Sequence, residues 1–198
     1  MSNISSMALK QAKAALRAEL KARLAAMTNV DRKLQSNTIT QMLTLTPEYQ
    51  TSKRVCLYLS MPEEVNTYGI MKHALQNKEC FIPQYIGPVM KMVKLESFED
   101  YEKLPETKWK IKQPADSDIR PDALETGGLD LILLPGLGFT LQGDRLGRGK
   151  GYYDTYLQKC KEKGFNPRTV GLAYSQQICD SIPVSETDQK VDFILTPT

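Results

Sequence analysis

The sequence predicts a single three-layer α/β domain over residues 1–198, with a central, largely parallel or mixed sheet flanked by helices. Three observations lead there. At 198 residues, 41% hydrophobic and 25% charged, the chain can bury one full core. After a helical start, strand-like and helix-like segments alternate, as they do where helical crossovers join the strands of one sheet. The run Leu129–Leu134 (LDLILL) is almost continuously apolar, as a strand covered on both faces must be. The 12 glycines and 11 prolines are spread along the chain rather than gathered into a linker, so a second domain is not needed. The order of the strands stays open.

In chain order, Leu9, Leu16, Leu20, Leu24 and Met27 share one stripe at helical spacing, which predicts an amphipathic helix between Met7 and Met27. Lys10, Lys13, Arg17 and Lys21 form a second stripe, about 75° from the first at roughly 100° per residue. Cations at that rim either snorkel along the apolar edge or point into a cleft. Thr28 is a plausible N-cap for a second helix to about Leu45, and Pro47 ends it or starts a short new turn. Val55–Leu59 is rich in strand formers, Ser60–Glu64 is a loop, and Asn66 or Thr67 caps a helix to about Asn77. Cys80–Ile82 resumes as a strand, completing a β-loop-α-β unit, and Met90–Glu96 alternates as another strand. Phe98–Gly127 has little periodicity and reads as an irregular excursion bearing the only tryptophan, Trp109. Leu129–Leu134 then runs into a glycine-rich segment, a helix from Gly151 or Tyr152 to Lys163, and strands at Thr169–Ala173 and Val191–Leu195.

Composition excludes several classes of function. A formal net charge of +3 is too small for a nucleic-acid binder by charge alone. No apolar run approaches the roughly 20 residues of a membrane span. Cys56, Cys80, Cys160 and Cys179 are far apart with no C-x-x-C pair, which predicts thiols in a reducing, cytoplasmic setting. His73, the single histidine, lies in the helical stretch Tyr68–Gln76 and is read as structural, which leaves Ser-His-Asp chemistry without its base. The basic residues are nevertheless clustered, in residues 1–33 (Lys10, Lys13, Arg17, Lys21, Arg23, Arg32, Lys33) and in residues 144–163 (Arg145, Arg148, Lys150, Lys159, Lys161, Lys163). Such clusters suit anionic ligands or simply make solvated helix faces.

The segment richest in chemistry is Gly136–Asp154, GLGFTLQGDRLGRGKGYYD. It joins a buried strand to a helix, where glycines let backbone N–H groups approach a phosphate and the helix N-terminus adds partial positive charge. Arg145, Arg148 and Lys150 supply countercharge. The segment is not a P-loop, because Lys150 is followed by Gly151 rather than a hydroxyl, and the G-x-G-x-x-G spacing also fails. A phosphate cradle of another type and a flexible turn remain. Asp154, in the first turn of the helix, is placed either to hold Mg2+ against phosphates or to favour the helix dipole. Glu186, Asp188 and Asp192 form a second group of acids, and Tyr152 and Tyr153 could stack on a planar ligand.

PGLGF, GDRLGRGKGYYD, the upstream LSMPEEVNT and the terminal ETDQKVD together resemble the 5-formyltetrahydrofolate cyclo-ligase (5,10-methenyltetrahydrofolate synthetase) family in its animal-like form, in the same order from about Lys10 to Leu195. The resemblance implies an ATP- and Mg2+-dependent conversion of 5-formyltetrahydrofolate to 5,10-methenyltetrahydrofolate, with release of ADP and phosphate through a phosphorylated formyl group. The partners it implies are ATP and a reduced folate; a cytoplasmic monomer with neither nucleic-acid nor membrane partner is expected beside it. Carried over residue by residue, it implies ATP contacts from Lys13, Arg17, Arg145, Leu146, Gly147, Arg148, Gly149, Lys150, Gly151, Tyr152 and Tyr153. Folate contacts are implied for Leu59, Glu64, Trp109 and the stretch Arg148, Gly149, Lys150, Gly151 and Tyr152. Asp154 and Asp188 match the metal-binding acids, and Arg148 and Lys150 the catalytic cations. Thr140 stands where many relatives have Asp, which puts a direct metal or hydrogen-bonding role at that position in doubt. A non-catalytic folate or RNA binding module, and a kinase for another small substrate, are the rival expectations.

Overall fold

The computed structural model describes residues 6–107 and 111–197. Helix α1 (Ser6–Ala25) buries only Leu20 and Leu24, near its C-terminal end. Helix α2 (Asn29–Leu45) starts where the sequence predicts, since Thr28 Oγ1 accepts the Asp31 N–H at 3.1 Å. Pro47 opens a separate helix, α3 (Pro47–Thr51), because a proline at the first position sacrifices no helical hydrogen bond. Strand β1 (Arg54–Cys56), helix α4 (Tyr68–Asn77) and strand β2 (Glu79–Ile86) make the expected crossover unit, with β1 and β2 parallel. Strand β3 (Val89–Leu95) returns antiparallel to β2. The excursion that follows is less irregular than its sequence suggests. Ser97 Oγ accepts the Asp100 N–H and nucleates helix α5 (Phe98–Lys103), and a 3-10 turn covers Ala123–Glu125.

Strand β4 (Leu131–Leu134) is buried at every residue, as its apolar run requires. It leads to a ribbon of two-residue strands, β5 (Gly138–Phe139) and β6 (Arg145–Leu146), which no periodicity in the sequence predicts. Helix α6 (Tyr152–Glu162), strand β7 (Arg168–Leu172) and strand β8 (Phe193–Leu195) complete the chain. The main sheet has six strands in the order β3-β2-β1-β4-β7-β8, all parallel except β3. The chain therefore steps outward in one direction after β1 and in the other after β4. Right-handed crossovers running in opposite directions put α4 and α6 on opposite faces. Helix α2 packs beside α4 and against β8, while α6 packs against β3.

The two rims of the sheet are limited in different ways. At β3, Lys94 N–H donates to Pro121 O at 3.0 Å and Val93 bridges Asp122, so the excursion lies along that edge. At the other rim β8 is three residues long. Among the described residues no helix is long and apolar enough to cross a membrane. His73 has the structural part expected of it, with Nδ1 at 2.9 Å from the Tyr49 hydroxyl.

Candidate active site

Where the order of a parallel sheet reverses, the loops leaving the two adjacent strands diverge and open a crevice at their carboxyl ends. Here that crevice lies between β1 and β4. The loop after β1 presents Glu63 and Glu64, and the glycine-rich loop after β4 presents Arg145, Arg148 and Lys150.

The β4 loop is anchored before it reaches the crevice. Phe139, fully buried, fills space that two glycines leave open: a Cβ on Gly136 would stand 2.6 Å from its ring and one on Gly171 2.7 Å. That packing gives the PGLGF motif its spacing and fastens the loop to β7. Thr140 then closes the β5–β6 turn. Its hydroxyl accepts the Asp144 N–H at 3.0 Å and its own N–H donates to Asp144 O at 2.9 Å, with 1% of the residue exposed. The position in doubt is therefore filled by an acceptor that closes a turn.

Gly149 (φ +98°) and Gly151 (φ +69°) bring the chain into α6 through left-handed backbone, which is costly for any residue with a side chain. They free the first N–H groups of α6 to face an anion. Two of the four rim cations of α1 join them. Arg17 Nε donates to Gly147 O at 2.9 Å, and Lys13 Nζ pairs with Asp188 Oδ2 at 2.5 Å, whereas Lys10 and Lys21 lie exposed. Lys150 is exposed and has no ion pair among the described residues.

The two expected metal-binding acids meet at one corner. Asp154 accepts from Arg145 Nη2 at 2.9 Å through Oδ2 and from the Gln189 N–H at 2.9 Å through Oδ1, and Asp188 is the residue immediately before that partner. Burial raises the Asp188 pKa, but the bonds from Lys13 and Ser185 outweigh it and hold the carboxyl below the usual aspartate range. Among the described residues no three His, Cys, Asp or Glu side chains form a metal cage. Two carboxylates offering hard oxygen donors suit Mg2+, which usually shares one or two carboxylates with substrate phosphates, and on that donor set the residues fit the ion.

Across the crevice, Arg148 reaches both acids of the β1 loop, Nε to Glu64 Oε1 and Nη2 to Glu63 Oε2, each at 3.3 Å. Glu64 is 9% exposed. Burial pushes its pKa above the ordinary glutamate value, against the lowering pull of the Met61 N–H and of Arg148. Beside it a pocket of about 300 Å³ is walled by Leu59, Ser60, Asn66, Tyr68, Tyr101 and Lys112, large enough and aromatic enough for a flat ring system. A larger polar cleft, about 610 Å³, opens at the opposite, amino ends of β1, β4 and β7 and contains none of the expected site residues. The chemistry marks the smaller pocket.

Tyr152 leans on Tyr85, with ring centroids 4.9 Å apart, and its hydroxyl donates to Gly87 O; Tyr153 is buried beneath it. Leu146 is buried in the β5–β6 ribbon. Trp109 lies outside the described residues. Two residues bordering the crevice, Tyr174 and Gln177, belong to no motif in the sequence, and Gln177 is one of two adjacent glutamines that nothing local distinguishes.

A family model described as the 5-formyltetrahydrofolate cyclo-ligase family matches residues 9–197. A Mus musculus protein named 5-formyltetrahydrofolate cyclo-ligase is 51% identical over 191 residues, covering 94% of each chain. A Caenorhabditis elegans protein named as a probable 5-formyltetrahydrofolate cyclo-ligase is 36% identical over 194 residues, covering 95% of this chain and 94% of its own. The solution structure of Aquifex aeolicus 5,10-methenyltetrahydrofolate synthetase superposes with a TM-score of 0.77 at 29% identity, covering 93% of this chain and 89% of that one.

Proposed function

The chain belongs to the 5-formyltetrahydrofolate cyclo-ligase family, and on that premise we propose that it converts 5-formyltetrahydrofolate to 5,10-methenyltetrahydrofolate with cleavage of ATP to ADP and phosphate. The observation that carries this reading is Arg148, which stands between the glutamates of one loop and the glycine cradle of the other. That is where a formyl oxygen and a γ-phosphate would have to meet.

An amide oxygen leaves carbon only when it is first made a good leaving group. The formyl oxygen attacks the γ-phosphorus, the bond from that phosphorus to the bridging oxygen of ADP breaks, and an imidate phosphate forms. Nitrogen-10 then adds to the activated carbon. The carbon–oxygen bond breaks, and phosphate departs with the former formyl oxygen and the nitrogen-10 proton. Such transfer depends on alignment and charge neutralisation rather than on a protein nucleophile. Lys13 and Arg17 from α1, with Arg145, Arg148 and Lys150 from the β4 loop, would hold the triphosphate against the N-terminus of α6. Leu59, Glu64 and Tyr152 would hold the folate in and beside the 300 Å³ pocket. When bound, Mg2+ held by Asp154 and Asp188 would supply neutralisation of the phosphate charge. Before that, the same two carboxylates are occupied by cations of the chain, Asp188 by Lys13 and Asp154 by Arg145.

The test is turnover of purified protein with 5-formyltetrahydrofolate, followed by the near-ultraviolet absorbance of the methenyl product with and without ATP. An ATP-dependent rise is expected. A flat trace in both arms overturns the reading, and a stable phosphorylated product in place of methenyltetrahydrofolate points to a kinase.

A further inference from the structure

We propose that Tyr174 and Gln177, the two buried ends of one turn after β7, are positioning residues that fix the gap between the loops bearing Glu64 and Arg148. Both are 1% exposed. On one side, the Tyr174 hydroxyl donates to Glu64 O at 2.7 Å. Its proton being thus committed, it accepts from Ser36 Oγ at 3.2 Å, and Ser36 Oγ in turn accepts the Asn66 N–H at 3.0 Å. The peptides on both sides of Val65 are held from outside the loop by this chain. On the other side, Gln177 Oε1 accepts the Tyr174 N–H at 2.8 Å, and Nε2 donates to Gly136 O at 2.7 Å, at the root of the glycine-rich loop. One turn therefore grips the folate-side loop with a phenol and the phosphate-side loop with an amide.

The ion pairs across the crevice do not set this gap themselves. At 3.3 Å, both Arg148 contacts are longer than the 2.7–2.9 Å usual for charge-assisted bonds, whereas the bonds from Tyr174 to Glu64 and from Gln177 to Gly136 are short, the first of them buried and the second partly so. A buried glutamine amide that only filled space would be replaceable by an apolar side chain at no cost, and here each end of the amide is spent on a backbone group of a different segment. Since displacement of a reacting group by about 1 Å can cost about a hundredfold in rate, the bracket is where alignment of the two substrates would be held.

The proposal rests on the assignment of Glu64 to folate and of the glycine loop to ATP, and the experiment separates the two. In the full chain, Gln177→Met is expected to lower kcat about tenfold and raise the KM for ATP several-fold. Tyr174→Phe keeps the ring and is expected to raise the KM for the folate several-fold while leaving that for ATP unchanged. A purely structural role would lower Tm and leave both KM values within twofold, which overturns the bracket. If Gln177→Met does not fold, Tyr174→Phe decides by the same criterion. If the unsubstituted chain shows no turnover, the folate assignment fails and amide hydrogen exchange judges the bracket alone. Faster exchange in residues 64–66 for Tyr174→Phe supports it, and unchanged protection there overturns it.

Discussion

Glu64 is a residue kept at a cost. Because burial raises its pKa in the folded chain, the folded state holds its proton more tightly than the unfolded state does. Stability thus falls as pH rises from the unfolded glutamate pKa through the higher folded one, and the ionised group remains a liability at neutral pH. Glu64→Gln is expected to equal or exceed the parent in Tm at pH 7, with the difference disappearing below about pH 4, where both states carry a neutral side chain. Its kcat/KM for the folate should fall, and the acidic limb of the parent profile, set above the ordinary glutamate range, should vanish with the carboxyl. Retention of that limb in the variant would assign it to another group. Lys150 and Arg148 differ in a second way. Lys150→Ala should lower kcat by about a hundredfold or more while changing stability by no more than about 0.5 kcal/mol, since no carboxylate among the described residues holds it. Arg148→Ala should be equally inactive but should raise the Glu64 pKa further, because it removes one of the forces that lower it. Unfolding of either variant at room temperature would mean that these cations support the fold instead.

At the scale of elements, the excursion after β3 is ordered by one guanidinium. Arg120 forks onto both oxygens of Asp100 at 2.6 and 2.7 Å, meets Asp118 at 2.8 Å and donates to Lys94 O, so it joins α5, the excursion and β3. The hydrogen bonds from Arg120 depress the Asp100 pKa despite partial burial. A depressed carboxyl gives stability that is present above the unfolded aspartate value and is lost as pH falls through the folded one. Asp100→Asn is therefore expected to cost about 1–2 kcal/mol at pH 7 and nearly nothing near pH 2, read from denaturant midpoints. A pH-independent loss would assign the effect to packing. No periodicity in the sequence announces this element, because its order comes from a long-range charge pair. What the sequence made legible has local causes: the Thr28 cap, the apolar run of β4, the glycines before α6. The two-residue strands β5 and β6 escaped because no pattern of period two can be seen in two residues. On α1 the periodicity showed four rim cations but not which of them face inward, since that depends on where Gly147 and Asp188 arrive from distant parts of the chain. Tyr174 and Gln177 were hidden for the same reason.

Taken as a whole molecule, Arg17 of the first basic cluster reaches the loop that carries Arg145, Arg148 and Lys150 of the second, and Lys13 joins the corner of Asp188 beside it, so a net charge of +3 conceals a local concentration of cations. If α1 belongs to the nucleotide site, ATP with Mg2+ should raise Tm by mass action, with about 2.7 kcal/mol of added stability at a hundred times Kd. Lys13→Ala should show a much smaller rise at the same nucleotide concentration, and a rise equal to the parent's would remove α1 from the site. The finished rims of the sheet bear on a different property. Parallel sheets present long ladders of amide groups during and after folding, and an open ladder is a template on which other chains can stack. Here one rim is paired at Val93 and Lys94 with the chain's own 121–122 segment and the other is three residues long. Loss of Arg120, which fastens that segment beside β3, should accordingly be felt first as a tendency to aggregate at high concentration, in a protein whose crevice at the centre of the sheet is still intact.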